Sequence, residues 1–294
     1  AAAALRYVIH DGFMTNFIIV TAANDKYFWL LQKFIAATRA HDAGREAPIG
    51  VLDLDLSSEN IAWLEAHGAQ VRDPGWDYKM AKAEENWFKA MTARPNLPKH
   101  FPGHEVYLWL DCDTWVQDWN AVELYLEGAA RDGFAVTPEV DRSYEYEGFY
   151  NFQYSCYKTG FGRKMAKKLA SAPIINVGAF AATADAPHWE VWSEILSTCL
   201  AKKVYFWAEQ TALNVAFYTR GLQASFLPAR CNWICHRALP FVSEDGATLL
   251  EPAPPFAPLG ILHLTAMTKY ETFDLATLSG NTVTRPLCYP GDGD

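Results

Sequence analysis

Apolar residues along this chain fall into two recurring patterns: short unbroken runs bounded by polar turns, and longer stretches with apolar positions at helical spacing. Phe17-Ile18-Ile19-Val20 is a β-branched run that stops at Thr21-Ala22-Ala23-Asn24-Asp25, after which Tyr27, Leu30, Leu31 and Phe34 predict a helix. The unit repeats with Pro48 to Leu52 as strand, Ser57 capping a helix through His67, and the short strand Gln70-Val71-Arg72. Lys79 to Met91 predicts a helix ending before the pre-proline Arg94, and Pro95 to His104 a Pro-containing loop. Val106 to Leu110 is an apolar run of the kind that a strand buried on both faces requires.

Further on, Ala121 to Ala130 predicts helix and Phe134 to Thr137 strand. Asp141 to Tyr157 is dense in Tyr, Phe and Glu without a clear period, and predicts a long irregular loop, serving either as a lid or as a cover for the sheet. A helix over Gly162 to Ala170 leads into an apolar strand over Pro173 to Phe180 with Asn176 inside it. Helices at Trp189 to Leu200 and Glu209 to Phe217, a strand at Ala224 to Leu227, the Pro-rich Glu251 to Pro258 and a strand over Gly260 to Leu264 complete the pattern. Alternating strands and helices define an α/β fold with a mixed, mostly parallel sheet flanked by helices. The expected organisation is a single domain over residues 17–275 with a decorated C-terminal half, an N-terminal extension at 1–16 and a tail at 276–294. Ala1 to Ala4 reads as a linker remnant, so the chain is read as part of a larger protein.

Half of the 294 residues are apolar and 20% are charged, which describes a globular chain. A formal net charge of −9 argues against nucleic acid as a partner. The six cysteines form no Cys-x-x-Cys pair and read as reduced thiols of a cytoplasmic protein. Cys231-Asn232-Trp233-Ile234-Cys235-His236 could hold a soft metal but lacks a second ligand pair at zinc-site spacing. The sequence contains no run long and apolar enough for a membrane span, so membrane contact is expected only at the periphery, through exposed aromatics.

Asp111 and Asp113 follow the Val106 to Leu110 run, where ligands of parallel sheets bind, and two hard oxygen ligands beside a phosphate suit Mg²⁺ or Mn²⁺. A second Asp-x-Asp, Asp53 and Asp55, reads as a strand end and helix cap. The acidic pair gains meaning from the order of motifs around it: Thr21 to Tyr27, Asp111-Cys112-Asp113, Asn176-Val177-Gly178, Glu209 to Asn214, and His263 followed by Lys269. From about Phe17 to Tyr270 the chain resembles a GT-A (Rossmann-like) glycosyltransferase, and more narrowly the retaining enzymes of glycosyltransferase family eight and related α-galactosyl and α-xylosyltransferases.

The resemblance implies a nucleotide-diphosphate sugar as donor, UDP-sugar by default, and a glycan, glycolipid or protein hydroxyl as acceptor. Thr21, Ala22, Asn24 and Tyr27 would hold the nucleotide, with Asn24 on the base edge and Tyr27 on its face. Asn24 could equally be a helix cap and Tyr27 a core aromatic. Asp111, Asp113 and His263 would hold Mn²⁺ or Mg²⁺, and Lys269 the phosphates. Asn176, Glu209 and Gln210 would surround the sugar, with Gln210 facing the anomeric carbon. The chain departs from the family at Ala266, in place of Gly, and at Tyr270-Glu271, in place of Pro-Trp.

Only Glu209 and Asp141 offer themselves as enzyme nucleophiles, so a front-face substitution is expected, with the departing phosphate taking the acceptor proton. Three rivals remain: a haloacid dehalogenase-like phosphotransferase using Asp111, a nucleotidyltransferase, and a silent nucleotide-sugar-binding domain. Trp115 stands where the phosphotransferase motif wants Thr or Val, and the loop at Thr21 to Tyr27 lacks the nucleotidyltransferase glycines.

Overall fold

The computed structural model describes residues 7–10, 13–82 and 84–290, with side chains from Asn16 onward. Ala1 to Ala4 lie outside the described residues; of the expected extension, Tyr7–His10 pairs antiparallel with the start of Phe13–Ala23.

A central sheet runs in the order Ala69–Arg72, Ile49–Asp53, Phe13–Ala23, Val106–Leu110, Ile175–Thr183, Phe134–Pro138, Ser225–Phe226. The first four strands are mutually parallel, and Ile175–Thr183 alone runs antiparallel to both of its neighbours. Strand alternation sends Ile18, Val20, Tyr107, Trp109 and Phe180 to one face, where they pack with Trp192, Leu196 and Leu213 of the helices His188–Leu200 and Ala208–Arg220. The alternate residues Phe17, Ile19, Leu108 and Leu110 pack on the other face against Leu31, Phe34, Val122 and Tyr125 of Phe28–Ala40 and Asn120–Asp132. With helices on both faces the central strands need apolar residues throughout, which explains their unbroken runs.

The segment expected as a helix over Lys79 to Met91 is mostly not one. A 3₁₀ turn at Asn86–Phe88 and a short helix at Lys89–Ala93 are preceded by irregular chain. Tertiary bonds hold that chain instead: Ala81 N donates to Leu200 O at 2.9 Å, and Tyr78 Oη donates to Ser193 Oγ at 2.8 Å. Within the expected Pro95 to His104 loop, Leu97–His100 is a helical turn.

The irregular loop expected over Asp141 to Tyr157 is half helix. Phe149–Leu169 is one helical segment, entered through Gly148 at φ 71° and kinked at Gly162, where φ is 82° and ψ 172°. Its buried positions Gln153, Cys156 and Tyr157 do follow helical spacing, but a buried glutamine among them hides the apolar period. Only Asp141 to Gly148 remains a turn-rich loop.

In the C-terminal half, Trp233, Leu262, Leu264 and Leu287 join Trp115 in a third apolar cluster. A hairpin of Thr272–Ala276 with Thr282–Pro286 straddles the boundary placed at residue 275, and Trp115 Nε1 donates to Leu287 O at 2.9 Å. Asp53 ends its strand by accepting from the N–H of Asp55 and Leu56 at 2.9 and 2.7 Å, and Ser57 Oγ accepts from Asn60 N at 3.4 Å, the strand end and cap that were expected.

Candidate functional site

The acidic pair is built by a turn. Asp111 leaves the carboxyl end of Val106–Leu110 with its N–H on Gly178 O at 2.8 Å, and the Thr114 N–H closes back onto Asp111 O at 2.9 Å. Thr114–Val116 then pairs antiparallel with Ile261–His263, Thr114 opposite His263, which carries a histidine from late in the chain to the two carboxylates. His263 Nε2 lies 3.5 Å from Asp113 Oδ1 and 3.7 Å from Asp111 Oδ2. One ligand atom from each of the three falls within 4.8 Å of the others, and among the described residues no other such group of three His, Cys, Asp or Glu occurs.

A chain of amides aims the imidazole. His263 Nδ1 is 3.1 Å from Asn232 Oδ1, Asn232 Nδ2 donates to Asn176 Oδ1 at 3.0 Å, and Asn176 Nδ2 donates to Glu139 Oε1 at 2.8 Å. Arg237 Nε closes the chain on Glu139 Oε2 at 2.9 Å. Since Asn232 donates onward, its oxygen accepts from Nδ1–H, and this network fixes the ring with Nε2 toward the carboxylates.

The charges are balanced around Asp113. Lys269 Nζ donates to Asp113 Oδ2 at 2.6 Å, and burial, which raises the Asp113 carboxyl, is outweighed by His263 and Lys269, which hold it well below the usual carboxylate range. Burial pulls the His263 imidazole down, and Asp113 more than compensates, leaving its pKa raised. Two carboxylates and an imidazole whose Nε2 could exchange its proton for a metal form a hard-to-borderline donor set that fits a divalent cation.

Arg94, in sequence only the pre-proline end of an expected helix, is placed by the structure inside the site. Its guanidinium, 4.7 Å over the Trp109 ring, bonds Asp111 Oδ1 and, at 3.1 Å, Glu209 Oε2. Trp109 Nε1 also donates to Asp111 Oδ1 at 2.8 Å. One Asp111 oxygen is therefore held by Arg94 and Trp109 while the other faces His263. Asn232, Glu139 and Arg237 were likewise not singled out; nothing in their local sequence marks them, because strand pairing distant in sequence brings them together.

Glu209 opens the helix Ala208–Arg220, and burial pushes its carboxyl up to about 7 although Arg94 opposes the shift. A raised acid pKa means that the fold binds an extra proton. The stability from this group is present below the unfolded value of 4.5 and is lost as pH rises through about 7. Glu209→Gln is expected to flatten the fall in urea midpoint between those limits. Arg94→Met strands both carboxylates and is expected to cost about 3–5 kcal/mol in urea unfolding, partly recovered when Glu209→Gln is added.

Gln210 lies against the strand that bears Asn176, its Oε1 accepting from Val177 N at 3.3 Å. Asn214 pins the helix there, accepting from Ile175 N at 2.7 Å and donating to Ile175 O at 2.9 Å. At the carboxyl end of Phe13–Ala23, Thr21 and Ala22 are buried, Thr21 Oγ1 and Asn24 Oδ1 are buried without hydrogen-bond partners, and the Asn24 side chain makes no cap bond. Tyr27 is half-buried, and Lys269 Nζ lies 5.9 Å from its ring centre. Beside the Lys269 loop a cavity of about 350 Å³ is lined by Glu145, His236, Arg237, Met267 and Thr268 among others. All six cysteines are free, and Cys231 and Cys235 are buried.

No family model matches the chain, and no curated protein matches it. Solved structures do. The galactosyltransferase LgtC, in complex with donor and acceptor sugar analogs, superposes with a TM-score of 0.52 at 16% identity over 85% of this chain and 87% of that one. GlyE of Streptococcus pneumoniae, a glycosyltransferase, gives 0.53 at 17% over 87% of this chain and 56% of its own length. The bifunctional glycosyltransferase WbbM gives 0.51 at 18% over 76% of this chain and 40% of its own. Likeness at such identity establishes the fold, and the chain has the GT-A glycosyltransferase fold expected from its motifs.

Proposed function

We propose that the protein is a divalent-metal-dependent glycosyltransferase that moves a hexose or pentose from a nucleotide-diphosphate sugar, with UDP the favoured nucleotide, to a hydroxyl acceptor with retention of configuration. The observation that carries this reading is the Asp111, Asp113 and His263 group with Lys269 at its edge, on a GT-A sheet. Asp113, the outward oxygen of Asp111 and His263 Nε2 would hold Mn²⁺ or Mg²⁺. A bound ion there would neutralise charge on the departing diphosphate as a Lewis acid. Lys269 offers a compact positive charge to the same phosphates, which would take over the role Asp113 Oδ2 now fills. Thr21, Ala22, Asn24 and Tyr27 would bind the nucleotide, where the unpartnered Thr21 and Asn24 oxygens await donors.

Asn176, Glu209 and Gln210 would line the sugar, for which amides and carboxylates suit several hydroxyls at once. In the transfer, an acceptor oxygen bonds to the anomeric carbon as the bond from that carbon to the phosphate oxygen breaks. The electron pair leaves with the phosphate, which also takes the acceptor proton. A front-face course is supported by the want of a free nucleophile: Glu209 is tied to Arg94, and Asp141 accepts from Ser143 N at 2.8 Å within its own turn. A second LgtC structure is of an active-site glutamine-to-glutamate mutant, in keeping with a working role for Gln210 here. The phosphotransferase reading loses support because one Asp111 oxygen is held by Arg94 and Trp109 and the other faces His263.

The acceptor would enter by the cavity between Glu145 and the Met267–Thr268 turn. Tyr146→Ala, at an exposed ring on its approach, is expected to raise the acceptor KM while leaving donor binding unchanged; equal loss of both marks a structural cover instead. Calorimetric titration with a panel of nucleoside diphosphates and nucleotide-sugars, with Mn²⁺ and with chelator, tests the reading. Metal-dependent binding of one nucleotide is expected, and binding of none would overturn it.

A further inference from the structure

In a chain whose net charge is −9, no Asp or Glu occurs between Glu147 and Asp185. That interval contains the helical segment Phe149–Leu169, whose Lys158, Arg163, Lys164, Lys167 and Lys168 are all exposed. The turn that bears the exposed Lys202 and Lys203 packs on the same helix: Tyr205 Oη donates to Cys156 O at 3.2 Å, and a Cβ at Gly160 would lie 3.1 Å from Cys199 Sγ. None of these seven cations has an ion-pair or hydrogen-bonding side-chain partner among the described residues. Several cations elsewhere do pair, as in Arg45 with Asp42, Lys89 with Asp73, Lys99 with Asp77 and Arg220 with Glu194.

Aromatic rings flank this basic strip. Tyr150, 54% exposed, stacks on Tyr154 along one side of the helix, and Lys158 follows on the next turn. Along the other side Phe152 packs edge-on against Trp207, which meets Phe206; Phe206 is 51% exposed and Trp207 38%. Exposed Tyr, Trp and Phe beside unpaired Lys and Arg are what a helix lying in a membrane interface presents, the rings entering the headgroup layer and the cations meeting anionic lipid. Neither signal holds a protein on a bilayer alone, and here both lie along one helical segment and its adjoining turn, the rings before the Gly162 kink and most of the cations after it.

From this we infer that the helix Phe149–Leu169 and the adjoining 202–207 turn dock the protein peripherally on an anionic lipid surface. Docking needs no donor, metal or turnover, so it stands or falls apart from the transferase reading. Trp207 immediately precedes the helix that bears Glu209 and Gln210, so a docked protein would hold that end of the cleft against the headgroups.

The full chain, sedimented with vesicles of phosphatidylcholine alone or mixed with phosphatidylglycerol, is expected to bind only the anionic vesicles and to be released by high salt. The triple variant Lys164→Gln, Lys167→Gln, Lys168→Gln, altered only at exposed positions and checked for unchanged Tm, is expected to lose about a hundred-fold in partitioning. Phe206→Ala with Tyr150→Ala is expected to weaken binding at every salt concentration. Failure to bind, equal binding to neutral vesicles, or salt-insensitive binding by the unaltered chain overturns the inference. Capture by soluble heparin in preference to vesicles also overturns it and assigns the strip to a polyanion.

Discussion

Asp113→Ala is expected to abolish metal-dependent binding of nucleoside diphosphates and to remove turnover. Its carboxylate is the meeting point of the site, with one oxygen 3.5 Å from His263 Nε2 and the other 2.6 Å from Lys269 Nζ. Removing it takes away one of the three proposed ligands and also the anchor that holds Lys269. Losing a hydrogen bond between charged partners costs the fold about 1.5–3 kcal/mol, which the variant should tolerate as a cooperative unit with a lowered midpoint. Asp113→Asn separates the two effects, since it keeps the volume and an oxygen for Lys269 but gives up the negative charge. Calorimetry with Mn²⁺ alone, then with nucleotide, reads both variants. Undiminished turnover in Asp113→Ala would sink the metal assignment.

Gly178→Ala is expected to damage the site as severely from a position that contributes no ligand. A Cβ there would sit 2.2 Å from His263 Cε1, 2.8 Å from His263 Nδ1 and 2.9 Å from Asn176 Oδ1. None of these contacts can be relieved cheaply. The imidazole is pinned by Asn232, and Gly178 itself donates to Asn176 Oδ1 at 2.8 Å and accepts from Asp111 N at 2.8 Å. The histidine would have to swing away from the carboxylates, and an overpacked core site of this kind costs about 1–3 kcal/mol. A fall in Mn²⁺ affinity of at least the 10–100-fold typical of disturbing the support of a metal ligand is expected, larger than the change in Tm alone would suggest. Gly178→Ala that binds Mn²⁺ as tightly as the native chain would show that His263 is not a ligand.

Much of the sheet was legible because the physics of its strands is local. Residues 17–20, 106–110 and 134–136 carry unbroken apolar runs since both of their faces are covered, and no other element makes that demand over so few residues. The helices at Phe28–Ala40, Asn120–Asp132 and His188–Leu200 show their buried faces at regular spacing. What misled was tertiary override. Lys79 to Met91 has adequate helix formers, yet Ala81 and Tyr78 bond to a neighbouring helix, and no local propensity records that competition. Phe149 to Tyr157 failed in the opposite sense, with Gln153 buried where the pattern wanted an apolar residue.

The site divides along the same line. Asp111, Asp113, His263 and Lys269 could be picked out because their spacing is a motif, and the structure brings these four together. Arg94 could not, since its buried place between Asp111 and Glu209 depends on Pro-flanked turns whose packing is not written in their order. The Asn232 to Glu139 chain was invisible for a related reason: each member sits on a different element, and only the assembled fold makes them consecutive.

The reversed strand Ile175–Thr183 has a consequence for how such a protein can be altered. Because it runs against its neighbours, it meets the crevice at its beginning, where Asn214 and Gln210 hold the backbone of Ile175 and Val177 from behind while Glu139 and Asn232 hold the Asn176 side chain. The chain that arrives there, from Asp141 through the kinked helix, is tied into the same support, since Arg237 donates to Glu145 O at 3.0 Å and lies 4.0 Å over the Phe149 ring while Tyr157 and Leu169 are core residues. A change of length there would travel through Arg237 and Glu139 to Asn176, so that variation in a distant surface segment is felt at the orientation of His263.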